Sequence, residues 1–289
     1  MMDMLLSQIV NGLVLGFLYV LIATGLSIIF GMLGVVNFAH GAFFAIGAYL
    51  ALTLAAHFGW AAIVMAPILT GLIGVVCEIA FVRRLYGKEP LLGLILTFAL
   101  ALFAEAVLRL VYSGEAQPFA VPAFLNGFIE YGPILITKYR IAVLIVTVIA
   151  LVAFWAFIEF TPFGRIIRAG SRDPEMVGLL GVNLPVVLSA VFGVGCLLAG
   201  LAGMLAGPIW TVQPAMGSGA IMPAFVIVTI GGLGSFAGAV AAGLMVGVIT
   251  AVTIQFYPSW SGSAMYILMA AVLLLRPRGL FGERWERFE

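Results

Sequence analysis

Between Arg140 and Arg276 the chain carries only six charged residues, and five of them (Arg165, Arg168, Arg172, Asp173 and Glu175) fall within residues 160–183. The sixth, Glu159, stands just before that stretch. Asp173-Pro174-Glu175 has the chemistry of a helix start. The Asp173 carboxylate can accept from free first-turn amides, Pro174 suits a position whose amide would go unused, and Glu175 faces the positive end of the helix dipole. Gly181 supplies a left-handed stop, so residues 174–180 are expected to form a helix of about two turns. A helix this short has too little apolar surface to fold alone and needs a partner to rest on. Composition by itself equally allows an ordinary basic loop.

Other ionisable groups within apolar runs are few, and each needs a reason, because charge in hydrocarbon is costly. Glu105 and Arg109 stand four apart and can pair on one helix face, which favours a structural ion pair over a solute contact. Glu78 lies near Arg83 at the end of an apolar run and is expected to pair or snorkel there. His40 has no carboxylate near it in sequence, so it reads as a hydrogen-bonded packing residue sooner than a proton relay. Cys77 and Cys196 each sit inside an apolar run and read as small buried side chains, with no disulfide or metal framework.

Several chemistries lack their parts. There is no GxxxxGKS/T loop to cradle nucleotide phosphates, no HExxH and no GxSxG. A TVGYG filter and an Arg-rich voltage-sensing helix are also missing. No catalytic residue, cofactor or metal is expected. A chain with a charged docking stretch and no energy-converting site fits one subunit of a larger machine.

The elements that must position these residues are membrane spans. The 289 residues are 64% apolar and 9% charged, with 35 glycines and a net charge of +1. Mean hydropathy is +1.24, far above a soluble domain. Nothing argues for nucleic acid, and the N-terminus lacks the basic start and cleavage site of a removable signal peptide. Apolar runs cover residues 6–30, 38–56, 61–82, 91–111, 141–158, 184–207, 220–233, 237–256 and 264–275. Gly12 and Gly16 give the first run a GxxxG spacing suited to close helix contact. The longest connection, residues 112–139, holds Pro118, Pro122, Pro133, Glu115 and Glu130.

Ten of the thirteen basic residues form three clusters: Arg83, Arg84 and Lys88; Arg165, Arg168 and Arg172; and Arg276, Arg278, Arg284 and Arg287. These should face the cytoplasm. Even numbers of runs separate the clusters, as a shared side requires. Three runs precede the first cluster, which puts the N-terminus outside unless the second run is only a half-helix.

Two places read as broken helices. Residues 31–41 form an uncharged connection with hardly a water-loving side chain, and residues 231–238 place Gly231, Gly232, Gly234 and Gly238 between two apolar runs. Backbone freed from helical bonding at membrane depth is tolerated inside protein or beside water, and matched breaks point to a translocation path. That reading nominates Asn37, His40, Gly41, Gly231, Gly232 and Gly234. Tight glycine-mediated packing with no pore role is the alternative.

The runs RAGSRDPEMVGLLGVN (residues 168–183), NFAHG (37–41) and GGLGSFAGA (231–239) resemble stretches of the LivH-type branched-chain amino acid permeases of ABC importers. The similarity extends over nearly the whole chain in length and order of segments. It implies an all-α fold: one permease domain over residues 1–289, a polytopic membrane helix bundle of roughly eight to nine segments, some broken or re-entrant. A short cytoplasmic coupling helix would lie within about residues 160–183. In such a family Arg168, Arg172, Asp173, Pro174, Glu175, Leu179, Leu180 and Gly181 would dock on a separate ATPase. The resemblance further implies a second, LivM-type permease subunit, cytoplasmic ATP-binding subunits and a periplasmic substrate-binding protein. Location would be the bacterial inner membrane, and the cargo branched-chain or other amino acids. A stand-alone secondary carrier or channel for a small solute is the alternative reading.

Overall fold

The computed structural model describes residues 2–131 and 134–282. Among them, eight helices are long and apolar enough to cross a membrane. In chain order these are α1 (Met2–Leu33, crossing from Leu5), α2 (Ala39–Phe58), α3 (Ala62–Ala80), α4 (Pro90–Tyr112) and α5 (Lys138–Phe160). Two short helices follow, α6 (Pro162–Arg172) and α7 (Pro174–Leu179). Then come α8 (Leu184–Trp210), the shorter apolar α9 (Met216–Gly231), α10 (Phe236–Phe256) and α11 (Ser261–Leu275).

Glycine sets which helices touch. Gly12 and Gly16 of α1 face α10, where an added Cβ at Gly12 would stand 2.7 Å from the Val248 Cα. On α8, Gly200 meets Gly47 of α2 at a similarly short range. With no hydrophobic drive between helices in lipid, such backbone approach is what gives association its dispersion energy. The resulting core is predominantly apolar. Leu21, Ile22, Phe192, Ala199, Ile227 and Ile230 are all fully buried. By contrast, α11 buries none of its residues, and Phe103, Leu110, Ile149 and Leu274 point outward as lipid-facing side chains do.

Antiparallel contacts order the crossings. Gln8 near the start of α1 bonds Gln255 at the end of α10, and Gly31 lies against Gly234 at the opposite end. Following each helix in turn puts all three basic clusters on one end of the bundle as far as they are described, and the first residues of α1 at the other. Arg284 and Arg287 lie outside the described residues.

Four features differ from the sequence reading. The second run is a 20-residue helix long enough to cross, not a half-helix. The first break is shorter than expected, since α1 continues to Leu33 and only residues 34–38 leave helical geometry. Within the long connection, Phe128–Tyr131 (β1) pairs antiparallel with Ile134–Thr137 (β2), a hairpin that proline content concealed. Finally, residues 162–172 are helical (α6), where the sequence reading placed only the second helix.

The connection 34–38 folds back into the bundle. His40 Nε2 lies 3.0 Å from the Ile22 carbonyl, about 16 Å along α1 from its end. The Phe38 amide donates to Thr97 Oγ1 at 3.2 Å, about two turns into α4. An uncharged sequence is what such a re-entrant path requires.

Candidate functional site

The charged stretch folds as two capped helices lying across the basic end of the bundle. Thr161 caps α6 by accepting from the Gly164 amide at 3.0 Å, and Pro162 takes the first helical position. One face of α6 buries Ile167 against Met32 of α1 and Val187 and Val191 of α8. The other face carries Arg168, whose guanidinium donates to the Glu159 carboxylate. Arg172 closes α6.

At the turn, Asp173 Oδ1 accepts from the Met176 amide at 2.9 Å, Pro174 opens α7 and Glu175 lies in its first turn. Val177 turns inward and is buried. Leu179 and Leu180 are 83% and 77% exposed, although both are large apolar residues beside charged ones. Gly181, at φ +83°, ends the helix, and Asn183 leads directly into α8. The Asp173 cap and the start at Pro174 are as expected from the sequence, and the helix ends at Leu179, one residue before the expected end. What the sequence did not reveal is that α6 straps this small knob to α1 and α8.

One turn into α8 stands a polar cluster that sequence reasoning saw only as a pair. The Glu78 carboxylate is fully buried and accepts from Arg83 Nε at 3.2 Å, Arg83 Nη2 at 3.1 Å and Tyr86 Oη at 2.7 Å. Ser189 Oγ of α8 also donates to it, and Arg83 reaches the same hydroxyl. The hydrogen bond to Glu78 raises the Arg83 pKa, and burial, followed by the Glu78 bond, raises that of the Tyr86 phenol. Both groups therefore keep their protons and remain donors at any physiological pH. The turn after α3 is thereby tied to the helix that leaves the knob.

Beside this cluster a cavity of about 250 Å³ opens between the end of α1, the connection 34–38, the α3–α4 turn and α4. Asn37 lines it, is only 2% exposed, and its carboxamide nitrogen and oxygen have no partner among the described residues. The other five nominated path residues lie elsewhere. The His40 ring sits against Gly25 of α1, and Gly41 packs on Gly217 of α9. Gly231 meets Gly238, and Gly232 meets Gly282 of the segment after α11. The Leu280 amide donates to the Ile230 carbonyl at 2.7 Å and the Phe281 amide to the Gly231 carbonyl at 3.0 Å. The second break thus seats the segment after α11. Glu105 pairs with Arg109 at 2.7 Å and accepts from Ser218 of α9 at 3.0 Å, as a structural link would.

Fold and site together define a polytopic helical membrane protein with one small helical knob projecting from its basic end. The chain belongs to the family described as branched-chain amino acid transport system / permease component, whose model matches residues 8–275. It is 32% identical to the high-affinity branched-chain amino acid transport system permease protein BraD of Pseudomonas aeruginosa, over 96% of this chain and 95% of that one. Identity to the corresponding LivH protein of Escherichia coli K12 is 30% over the same shares. A probable LivH of Methanocaldococcus jannaschii is 25% identical over 94% of this chain and 91% of its own.

Proposed function

We propose that this chain is the membrane-spanning permease subunit of an ATP-driven amino acid importer of the bacterial inner membrane, branched-chain amino acids being the first class of cargo. The single observation that carries the reading is the pair Leu179 and Leu180, exposed on a capped helix at the basic end of the bundle. Apolar side chains held out in this way suit a groove on a cytoplasmic ATP-binding subunit. A second, LivM-type permease subunit would complete the core, and a periplasmic binding protein would deliver the solute and set most of the selectivity.

The transmission is mechanical. ATP-driven closure of the motor subunits pushes on α7, and the four-residue connection 180–183 passes the displacement into α8. Because α8 carries both Ser189 and Phe192, the push reaches the Glu78 cluster and the cavity wall together. Rigid helices rocking about packed glycine contacts then switch access from one membrane face to the other.

The test is replacement of Asp173-Pro174-Glu175 by three glycines in the assembled transporter. Loss of ATPase-subunit co-purification and of solute uptake is expected. Intact association and uptake would overturn the reading.

A further inference from the structure

The cavity beside the α3–α4 turn has a chemistry that its position alone does not require. We propose that it is a binding pocket for an aliphatic zwitterion, an amino acid with a branched hydrocarbon side chain, on the cytoplasmic half of the path. The inference rests on the importer reading above and assigns that reading a solute site.

Much of the wall is apolar, with Leu33 and Val35 from the end of α1 and its connection, Val82 and Leu85 from the turn, and Phe192 from α8, while Tyr86 and Thr97 add hydroxyls. Lys88 and Glu89 also line the cavity, and both are exposed, so they stand at its mouth. Among the described residues the ion pairs are Glu78–Arg83, Glu105–Arg109 and Glu159–Arg168, and neither Lys88 nor Glu89 belongs to one. An ammonium and a carboxylate outside these ion pairs, Lys88 and Glu89, therefore both line the exposed side of the cavity. A branched amino acid is the complement: its carboxylate faces Lys88, its ammonium faces Glu89 and its hydrocarbon branch enters the recess. Both charges stay at the mouth in contact with water, which avoids the penalty of burying ions. The aliphatic part gains in proportion to the apolar area covered. A volume of about 250 Å³ admits such a small solute and lies below the range of roughly 300–1,000 Å³ typical of larger ligands.

Two further features bear on the site. The Asn37 carboxamide, buried at the cavity without a partner, carries an unmet polar requirement that a solute's head group moving toward residues 34–38 can satisfy. Phe192, one wall of the recess, follows Ser189 by about one turn on α8. Displacement of α7 therefore acts on the wall of this pocket, and release can be timed by the motor.

The experiment uses the full transporter in nanodiscs, free of nucleotide, with tritiated L-leucine as probe. Lys88→Gln and Glu89→Gln alter exposed side chains and leave the fold intact. Each is expected to weaken leucine binding about tenfold, the loss of one charge-assisted contact. L-Leucinamide, which lacks the carboxylate, should lose nothing further in Lys88→Gln. 4-Methylpentanoate, which lacks the ammonium, should lose nothing further in Glu89→Gln. Leucine binding within twofold of wild type in both variants overturns the pocket. Failure of ATP-binding subunits to co-purify with the wild-type chain overturns the importer reading instead, and leaves the pocket to be judged by the binding data.

Discussion

The Phe281 amide donates to the Gly231 carbonyl across 3.0 Å, so the segment after α11 bonds the carbonyl left free where α9 stops. Gly232, at φ +99°, is the residue that lets the two backbones meet, because a Cβ there would stand 2.4 Å from the Gly282 nitrogen. Gly232→Ala therefore combines backbone strain with a clash. A loss of about 1–3 kcal/mol is expected, read as a lowered Tm of the nanodisc-embedded subunit and faster proteolysis after residue 275. An unchanged Tm and unchanged cleavage would show that the segment does not bind the break.

Glu78 is buried while its Arg83 partner is 35% exposed, so the pair is only half withdrawn from water. Glu78→Gln should cost about 2 kcal/mol, less than a fully buried pair would. The double variant Glu78→Gln with Arg83→Met should recover part of that loss. Thermal unfolding of both single variants and the double tests the coupling, and a double variant no more stable than Glu78→Gln alone would refute it.

Leu179 and Leu180 make few contacts within the subunit. Changing both to serine should leave the Tm of the isolated chain within about a degree, as surface substitutions do. Co-purification of the ATP-binding subunit should fall by an order of magnitude. A variant that unfolds, or that retains its partner, contradicts the assignment of the knob.

Gly203 and Gly262 form a contrast within one residue type. A Cβ at Gly203 would lie 1.8 Å from the Phe44 carbonyl oxygen, whereas Gly262 has nothing within 4 Å. Gly203→Ala should force α2 and α8 apart and abolish a monodisperse peak in size-exclusion chromatography. Gly262→Ala should be neutral or slightly stabilising in the isolated subunit, given the better helix propensity of alanine.

The boundaries of the knob were legible because a cap, a proline and a stop glycine act within a few residues of one another. Helix α6 was missed for a related reason. Its apolar face, Ile167 with Gly164 and Gly170, is too sparse to announce itself until Met32 and Val187 are known to lie beneath it. The glycine break at residues 231–238 reads in the sequence as part of a path or as tight packing, and the carbonyls of Ile230 and Gly231 are answered by Leu280 and Phe281, partners no local pattern could supply.

The sequence by itself determined where the apolar spans lie, that the basic clusters share one end of the bundle, and where the small capped helix starts. Each depends on properties summed over about twenty residues or fewer: hydropathy, the side on which arginines fall, and capping chemistry. Only the tertiary structure decided which distant groups converge. Glu78 and Ser189 lie 111 residues apart in the chain, and Lys88 has no sequence relation to Leu33 or Phe192. Such meetings follow from where glycine lets helices cross, and a crossing is a property of two surfaces that neither strand of sequence contains alone.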